Sequence, residues 1–152
     1  MPSSRHERRR SVGYPTGRLM AVIDDPAAAA GAMAELVAAG IAPDDLELLR
    51  GAEGADRVDG TGGGGGPAGR LRRAIDFTLM DQLVDFVAYE RALRDGRAVV
   101  LVRARDDPRK AAAVAVLRGR GGHFVNYFGR FATEEIDPWR GPEPEIADFL
   151  RR

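Results

Sequence analysis

The pattern of apolar and polar positions repeats once along the chain. An apolar run at 19–23 is followed by Asp-Asp-Pro at 24–26 and then by small and apolar residues at helical spacing. A second apolar run at 99–102 leads to the same triplet at 106–108 and to a similar stripe. Each copy predicts a strand buried on both faces, followed by a helix that begins at an aspartate cap and a proline. The repeat therefore predicts a fold of two βαβ-like halves.

The predicted caps are the second aspartate of each triplet, Asp25 and Asp107. An aspartate in this position accepts hydrogen bonds from the free backbone N–H groups of the first helical turn. Gly40 and Gly121 follow the two helices and supply the left-handed stop that commonly ends a helix.

Two further strands are predicted, and both mix polar with apolar residues. One is the short segment 46–50, and the other is the aromatic segment 123–131. A ferredoxin-like sheet with the strand order 4-1-3-2 buries strands one and three centrally and leaves strands two and four at its edges. We therefore predict an α+β fold with a four-stranded antiparallel sheet of this order. A flavodoxin-like parallel sheet is the alternative, but it normally needs five strands.

An extra long helix is predicted between strands two and three, which makes the order βαβ(α)βαβ. The helix is predicted to end near Gly96. Its apolar positions recur every three or four residues: Leu71, Ile75, Leu79, Leu83 and Phe86. The segment 51–69 precedes it and contains consecutive glycines at 62–66. So many glycines lose much backbone entropy on folding, so this segment is predicted to be a loop.

The two ends of the chain lack periodicity. Residues 1–17 contain three consecutive arginines and are expected to form a disordered basic arm. The α+β domain is predicted over 18–134. Residues 135–152 contain Pro138, Pro142 and Pro144 and are expected to form a tail without regular structure.

Composition restricts the class of protein. The chain has 152 residues, 23 basic and 23 acidic, so its net charge does not favour nucleic acid or an anionic membrane surface. Cysteine is absent, which excludes disulfides and thiolate chemistry. Neither a secretory signal nor an apolar run of about 20 residues is present, so a soluble cytoplasmic protein is expected. The high Ala, Gly and Arg content indicates a bacterial coding bias.

The strongest candidate for a ligand-binding site is the segment 123–128. Strand alternation places His123 and Tyr127 on one face and Asn126 on the other. A pocket could use these groups for acid–base chemistry or for ligand stacking. The alternative is an edge strand whose aromatic side chains pack under helices or against a second subunit.

A second candidate site is an anion site at the start of the long helix, formed by Arg70, Arg72 and Arg73. The glycines before it resemble a phosphate-binding loop, but the lysine and hydroxyl of a P-loop are missing, so ATP hydrolysis is not supported. A flexible linker is the alternative. The Asp-Asp pairs are explained by helix capping, and metal-ligand spacing is absent, so neither a metal nor a cofactor is expected.

Residues 19–130 resemble a known family. The strand and Asp-Pro helix, the glycine-rich insert, and Tyr89-x-x-x-Leu93-x-x-Gly96 running into the second strand and helix are similar to the bacterial general stress protein (YflT-like) domain. The resemblance implies a stress-associated cytoplasmic role and no established catalytic residues.

Two classes of function remain open, and the first is favoured. In it, the chain is a non-enzymatic module that forms a homo-oligomer and binds a protein or small-molecule partner. Sheets of this kind often leave one face uncovered, so copies are expected to pair through that face. The alternative is a small enzyme or cofactor-binding protein of the dimeric α/β-barrel type, with His123 and Tyr127 in a pocket. Binding of nucleic acid or a membrane is not expected.

Overall fold

The structure is a computed structural model that describes residues 16–58, 80–130 and 132–142, with residues 80–85 described by their backbone only. The elements are β1 (Arg18–Ile23), α1 (Pro26–Ala38), β2 (Leu46–Arg50), α2 (Gly51–Arg57), α3 (Met80–Arg94), β3 (Ala98–Arg103), α4 (Asp107–Gly119), β4 (His123–Phe128) and β5 (Thr133–Asp137). A 3₁₀ turn at Pro43–Asp45 leads into β2.

The five strands form one antiparallel sheet in the order β2-β3-β1-β4-β5. The two most apolar strands, β1 and β3, are neighbours and pair from Arg18↔Arg103 to Ile23↔Ala98. Their central position confirms the α+β class and the antiparallel arrangement. Because every described pair is antiparallel, the flavodoxin-like alternative is wrong.

The predicted strand number is wrong, because β5 adds a fifth strand beside β4. The chain turns back after β4, where the N–H of Gly129 donates to the carbonyl of Ala132 at 2.9 Å. Strand β5 then pairs with β4 from Phe128↔Thr133 to Val125↔Asp137, so β4 is internal rather than an edge. It also runs across the predicted boundary between residues 134 and 135.

Both faces of the sheet carry helices. One face packs against α1 and α4 around buried residues that include Leu19, Ala21 and Leu117. The other face packs against α2 and α3 around Met20 and Tyr89. The expectation that one face of the sheet stays uncovered is therefore wrong: in the described residues the second face is covered by helices and has its own hydrophobic core.

Helix α2 occupies part of the segment predicted to be a loop. Gly51 turns the chain out of β2 with φ +64°. A Cβ at Gly54 would lie 3.2 Å from Leu49 backbone, so glycine allows the helix to lie close to the strand that precedes it. Ala55 and Val58 are then buried in the second core. The part of the predicted loop at 59–69 lies outside the described residues, as do 70–79 of the predicted long helix.

Both helices begin at an aspartate cap, as predicted, but in one of them a different aspartate is the cap. Asp25 caps α1 by accepting a hydrogen bond from the N–H of Ala27 at 3.0 Å. In α4 the cap is Asp106, which accepts from the N–H of Arg109 at 2.9 Å, and Asp107 is already helical. The prediction of Asp107 as the cap is wrong, because the second helix begins one residue earlier relative to its proline.

Candidate functional site

A β-bulge distorts β4 inside the most suggestive segment of the sequence. Met20 pairs with Asn126 and Val22 pairs with His123, so Ala21 faces two residues of β4. Phe124 is one of these two residues and has φ +47°, the only positive φ of a non-glycine residue in the described part of the chain. A left-handed phenylalanine is unfavourable, so the surrounding contacts must hold it in place.

The bulge places His123 and Tyr127 on opposite faces of the sheet. Directly opposed residues of an antiparallel pair share a face. Tyr127 pairs with Leu19 and packs with the first core, whereas His123 pairs with Val22 of the second core. The prediction that His123 and Tyr127 share one face is therefore wrong, because the extra residue shifts the alternation by one.

Polar contacts around Tyr89 hold the bulge. The Tyr89 hydroxyl, fully buried, lies 2.7 Å from the carbonyl oxygen of Phe124 and 3.0 Å from that of Met20. Asn126 donates to the same hydroxyl through Nδ2 at 2.8 Å. The Tyr89 ring also stacks on Phe124 with centroids 4.8 Å apart. Asn126, a predicted ligand-binding residue, is thus bonded within the fold and 2% exposed.

Both ring nitrogens of His123 are engaged by the protein. Nδ1 accepts a hydrogen bond from the backbone N–H of Arg140 at 3.1 Å. A ring nitrogen that accepts carries no proton, so the proton of the neutral imidazole lies on Nε2 and is donated to Oδ1 of Asp24 at 2.7 Å. The side chain is 3% exposed. In this arrangement the Nδ1 lone pair is therefore engaged by the Arg140 N–H rather than free to act as a general base.

The segment 138–142 covers the His123 end of the sheet. The carbonyl of Pro138 accepts from the N–H of Phe124 at 2.9 Å. The Trp139 ring meets His123 edge to face at 4.7 Å, and its Nε1–H donates to the carbonyl of Pro142 at 3.0 Å. The Arg140 guanidinium donates to the carbonyl of Gly122 at 2.8 Å.

The charged groups beside this segment come from two loops. Asp24 follows β1, and its side chain is 61% exposed. Arg97 precedes β3, donates to Asp24 through Nε at 3.0 Å and lies 5.5 Å from the centre of the Trp139 ring. Asp24 thus joins His123 to Arg97 at the rim of the second core.

The remaining predicted site residues lie apart from this cluster. Tyr127 is half-buried on the other face, where Nζ of Lys110 lies 4.1 Å from the ring centre. Arg70, Arg72 and Arg73 lie outside the described residues. Within the described ranges no group of three or more His, Asp or Glu side chains is arranged to hold a metal ion.

Sequence analysis missed five members of the cluster: Asp24, Tyr89, Arg97, Trp139 and Arg140. Asp24 lies 99 positions before His123 along the chain, so only the folded sheet brings the two together. One indication was available, since a helix start needs one aspartate as its cap and the pair at 24–25 supplies two.

No helix among the described segments is both long and apolar enough to cross a membrane. Comparison of the chain with protein-family models, curated proteins and solved structures gives no match.

Proposed function

We propose that the chain is a non-enzymatic α+β module that acts by binding, through homo-oligomerisation and through a protein or small-molecule partner. The observation that supports this most directly is the engagement of His123. Nδ1 is hydrogen-bonded to the N–H of Arg140 and Nε2 to Asp24. Asn126 is hydrogen-bonded to Tyr89. His123 and Asn126, which the sequence offered for chemistry, thus make hydrogen bonds within the fold, at the bulge and to the segment beside it.

We favour this proposal over the alternative of a small enzyme. That alternative uses His123 and Tyr127 in one pocket, whereas the bulge separates them onto the two faces of the sheet. The order of β1–β4, with α1 and α4 on one face, supports a ferredoxin-like arrangement extended by β5. A stress-associated role in the bacterial cytoplasm is part of the proposal and rests on the family resemblance described above.

The route of self-association must differ from the one expected from the sequence. Both sheet faces are covered in the described residues, and Val37, 46% exposed, is the single large hydrophobic side chain strongly exposed there. Copies would therefore meet through the β2 edge of the sheet or the outer surfaces of helices. Such contacts are more polar than a sheet face, so the assembly should weaken on dilution.

Native mass spectrometry of the full chain as purified tests the proposal, together with sedimentation velocity over a range of concentrations. We expect masses of a dimer or larger assembly, or a mass excess from a retained small molecule. A protein that stays monomeric at every concentration, carries no added mass and retains no partner in affinity purification would overturn the proposal.

A further inference from the structure

We propose that residues 138–142 form a latch on the end of β4, and that the latch opens when the His123 imidazole gains a proton. This inference goes beyond the proposed function and does not depend on it. It concerns a conformational change within one copy of the chain.

The hydrogen bonds of the latch make it sensitive to the protonation of one ring. Nδ1 of His123 accepts the N–H of Arg140. An imidazolium ring has a proton on both nitrogens and can accept no hydrogen bond. After protonation the Nδ1–H of His123 would therefore point at the N–H of Arg140, and the two donors would repel each other. The bond to Asp24 survives, because Nε2 donates to the carboxylate in both states. Protonation therefore removes the hydrogen bond from the Arg140 N–H and retains the one to Asp24, which follows β1.

The charges around His123 act in the same direction on the latch. Asp24, after β1, faces Nε2 and attracts the imidazolium. Arg97, before β3, is already paired with Asp24 and with Asp95. Arg140 belongs to the latch itself, so a new positive charge on His123 repels its guanidinium.

The charges on the other elements around the cluster do not change when His123 gains a proton. On β5, Asp137 is paired with Arg118 of α4 at 2.7 Å and attracts the Arg140 guanidinium in both states of His123. On α3, Tyr89 contributes a hydroxyl that is bonded to the bulge. The groups that change with protonation are thus His123 and its contact with the latch.

Opening would change the surroundings of Trp139, the only tryptophan in the chain. In the closed state its ring contacts His123 and Phe124, and its indole N–H donates to Pro142. Release of residues 138–142 would remove these contacts and uncover the rings of Phe124 and Trp139. The fluorescence of the chain therefore reports on the latch without added labels.

Acrylamide quenching of Trp139 emission, measured from about pH 8 downward to the pH at which the circular dichroism changes, tests the latch. We expect the quenching constant to rise several-fold while the far-UV circular dichroism stays unchanged. His123→Asn is the key variant, because its amide oxygen can accept the Arg140 N–H and does not titrate. We expect its quenching to stay low at every pH. His6→Asn, which changes the only other histidine, should behave like the wild type.

The proposal is overturned if wild-type quenching stays constant down to the pH at which the circular dichroism changes, or if His123→Asn shows the same rise. A second measurement needs no variant. In NMR spectra of the full chain, the Trp139 indole N–H resonance should shift with the same midpoint as the His123 ring protons. Different midpoints would also overturn it.

Discussion

Tyr89 connects α3 to the bulge through a single buried hydroxyl group. Its one proton is shared between the carbonyls of Phe124 and Met20, and its oxygen accepts from Asn126, so contacts to two strands depend on one side chain. A buried polar group that loses its partner costs more than the hydrogen bond contributes when it forms. The hydrogen bond and ring contact from Tyr89 help to hold Phe124 in its unfavourable backbone conformation.

Tyr89→Phe should therefore destabilise the fold by about 1–3 kcal/mol, because the polar groups bonded to the hydroxyl stay buried without it. Tyr127→Phe is the matched control: Tyr127 lies half-buried on the other face, and the same change there should cost less than about 0.5 kcal/mol. Urea denaturation measures both. Equal costs for the two variants would contradict the role assigned to the Tyr89 hydroxyl.

The two aspartates before Pro108 differ in their contribution to α4. Asp106→Ala removes the cap and should lower the free energy of unfolding by about 1 kcal/mol. Asp107→Ala should cost clearly less, because Asp107 is inside the helix and accepts no capping bond. Chemical denaturation of the two variants side by side distinguishes them, and a larger cost for Asp107→Ala would show that the cap is misplaced.

At the scale of elements, arginine–carboxylate pairs attach the peripheral segments to the core. Arg105, after β3, binds Asp45 of the 3₁₀ turn with two hydrogen bonds of 2.7 and 2.8 Å. Arg118 of α4 binds Asp137 of β5 in the same way. In each pair the hydrogen bonds from the guanidinium hold the pKa of the aspartate below its usual value.

The lowered pKa values predict how stability depends on pH. A carboxyl whose pKa is lower in the folded state stabilises the fold above its unfolded pKa of about 3.9, and this contribution is lost as the pH falls through the lower folded value. Stability should thus decline below about pH 4, and Asp45→Asn should decline less steeply, because its amide does not titrate. Denaturation curves at neutral and acid pH measure the slopes. An unchanged slope in both Asp45→Asn and Asp137→Asn would contradict the prediction.

Strand β5 is the element that the sequence pattern did not predict. Its residues are mostly acidic, and β-propensity disfavours glutamate and aspartate in strands. In the folded chain, ion pairs with α4 stabilise these acidic residues: Lys110 Nζ binds Glu134 at 2.7 Å, and Arg118 binds Asp137. These partners lie 24 and 19 positions away in the sequence. Charge on an edge strand also protects it from pairing with other chains.

At the scale of the whole molecule, the sheet is built from two copies of one arrangement. In each copy a central strand, β1 or β3, leads to a helix on the same face of the sheet and then to a strand that flanks the central pair, β2 or β4. Strand β5 and the segment 138–142 are added only to the second copy, so the two halves are not equivalent. The His123 cluster lies where these additions meet the end of β1.

The register between β4 and β5 can be tested by cross-linking, because the chain has no cysteine of its own. Tyr127 and Glu134 are directly opposed, so the double cysteine variant at these positions should form a disulfide on mild oxidation. The control pair, Tyr127 with Glu135, should oxidise far more slowly, since Glu135 is opposite Asn126 on the other face. Thiol counts after oxidation give the result. Faster cross-linking of the control pair would refute the register.

Local sequence was sufficient for the parts of the fold that depend on neighbouring residues. The apolar runs of β1 and β3, the aspartate cap of α1 and the glycine that ends it follow from periodicity and backbone chemistry, and Gly40 has the expected φ of +97°. Burial of continuous apolar strands also predicted that β1 and β3 lie in the centre of the sheet. These features need no information about distant partners.

Tertiary structure alone decided the strand number, the covered second face and the arrangement around His123. The bulge at Phe124 reverses the face of His123, and its cause lies in Tyr89 and Pro138, which contact it only after folding. Strand periodicity assumes an unbroken alternation, and one extra residue invalidates it for every position beyond. Whether a histidine acts as a base or as a structural hydrogen-bonding group depends on the hydrogen-bond partners of its two ring nitrogens. For His123 these partners are Asp24, which is distant in sequence, and Arg140, which lies in an irregular segment.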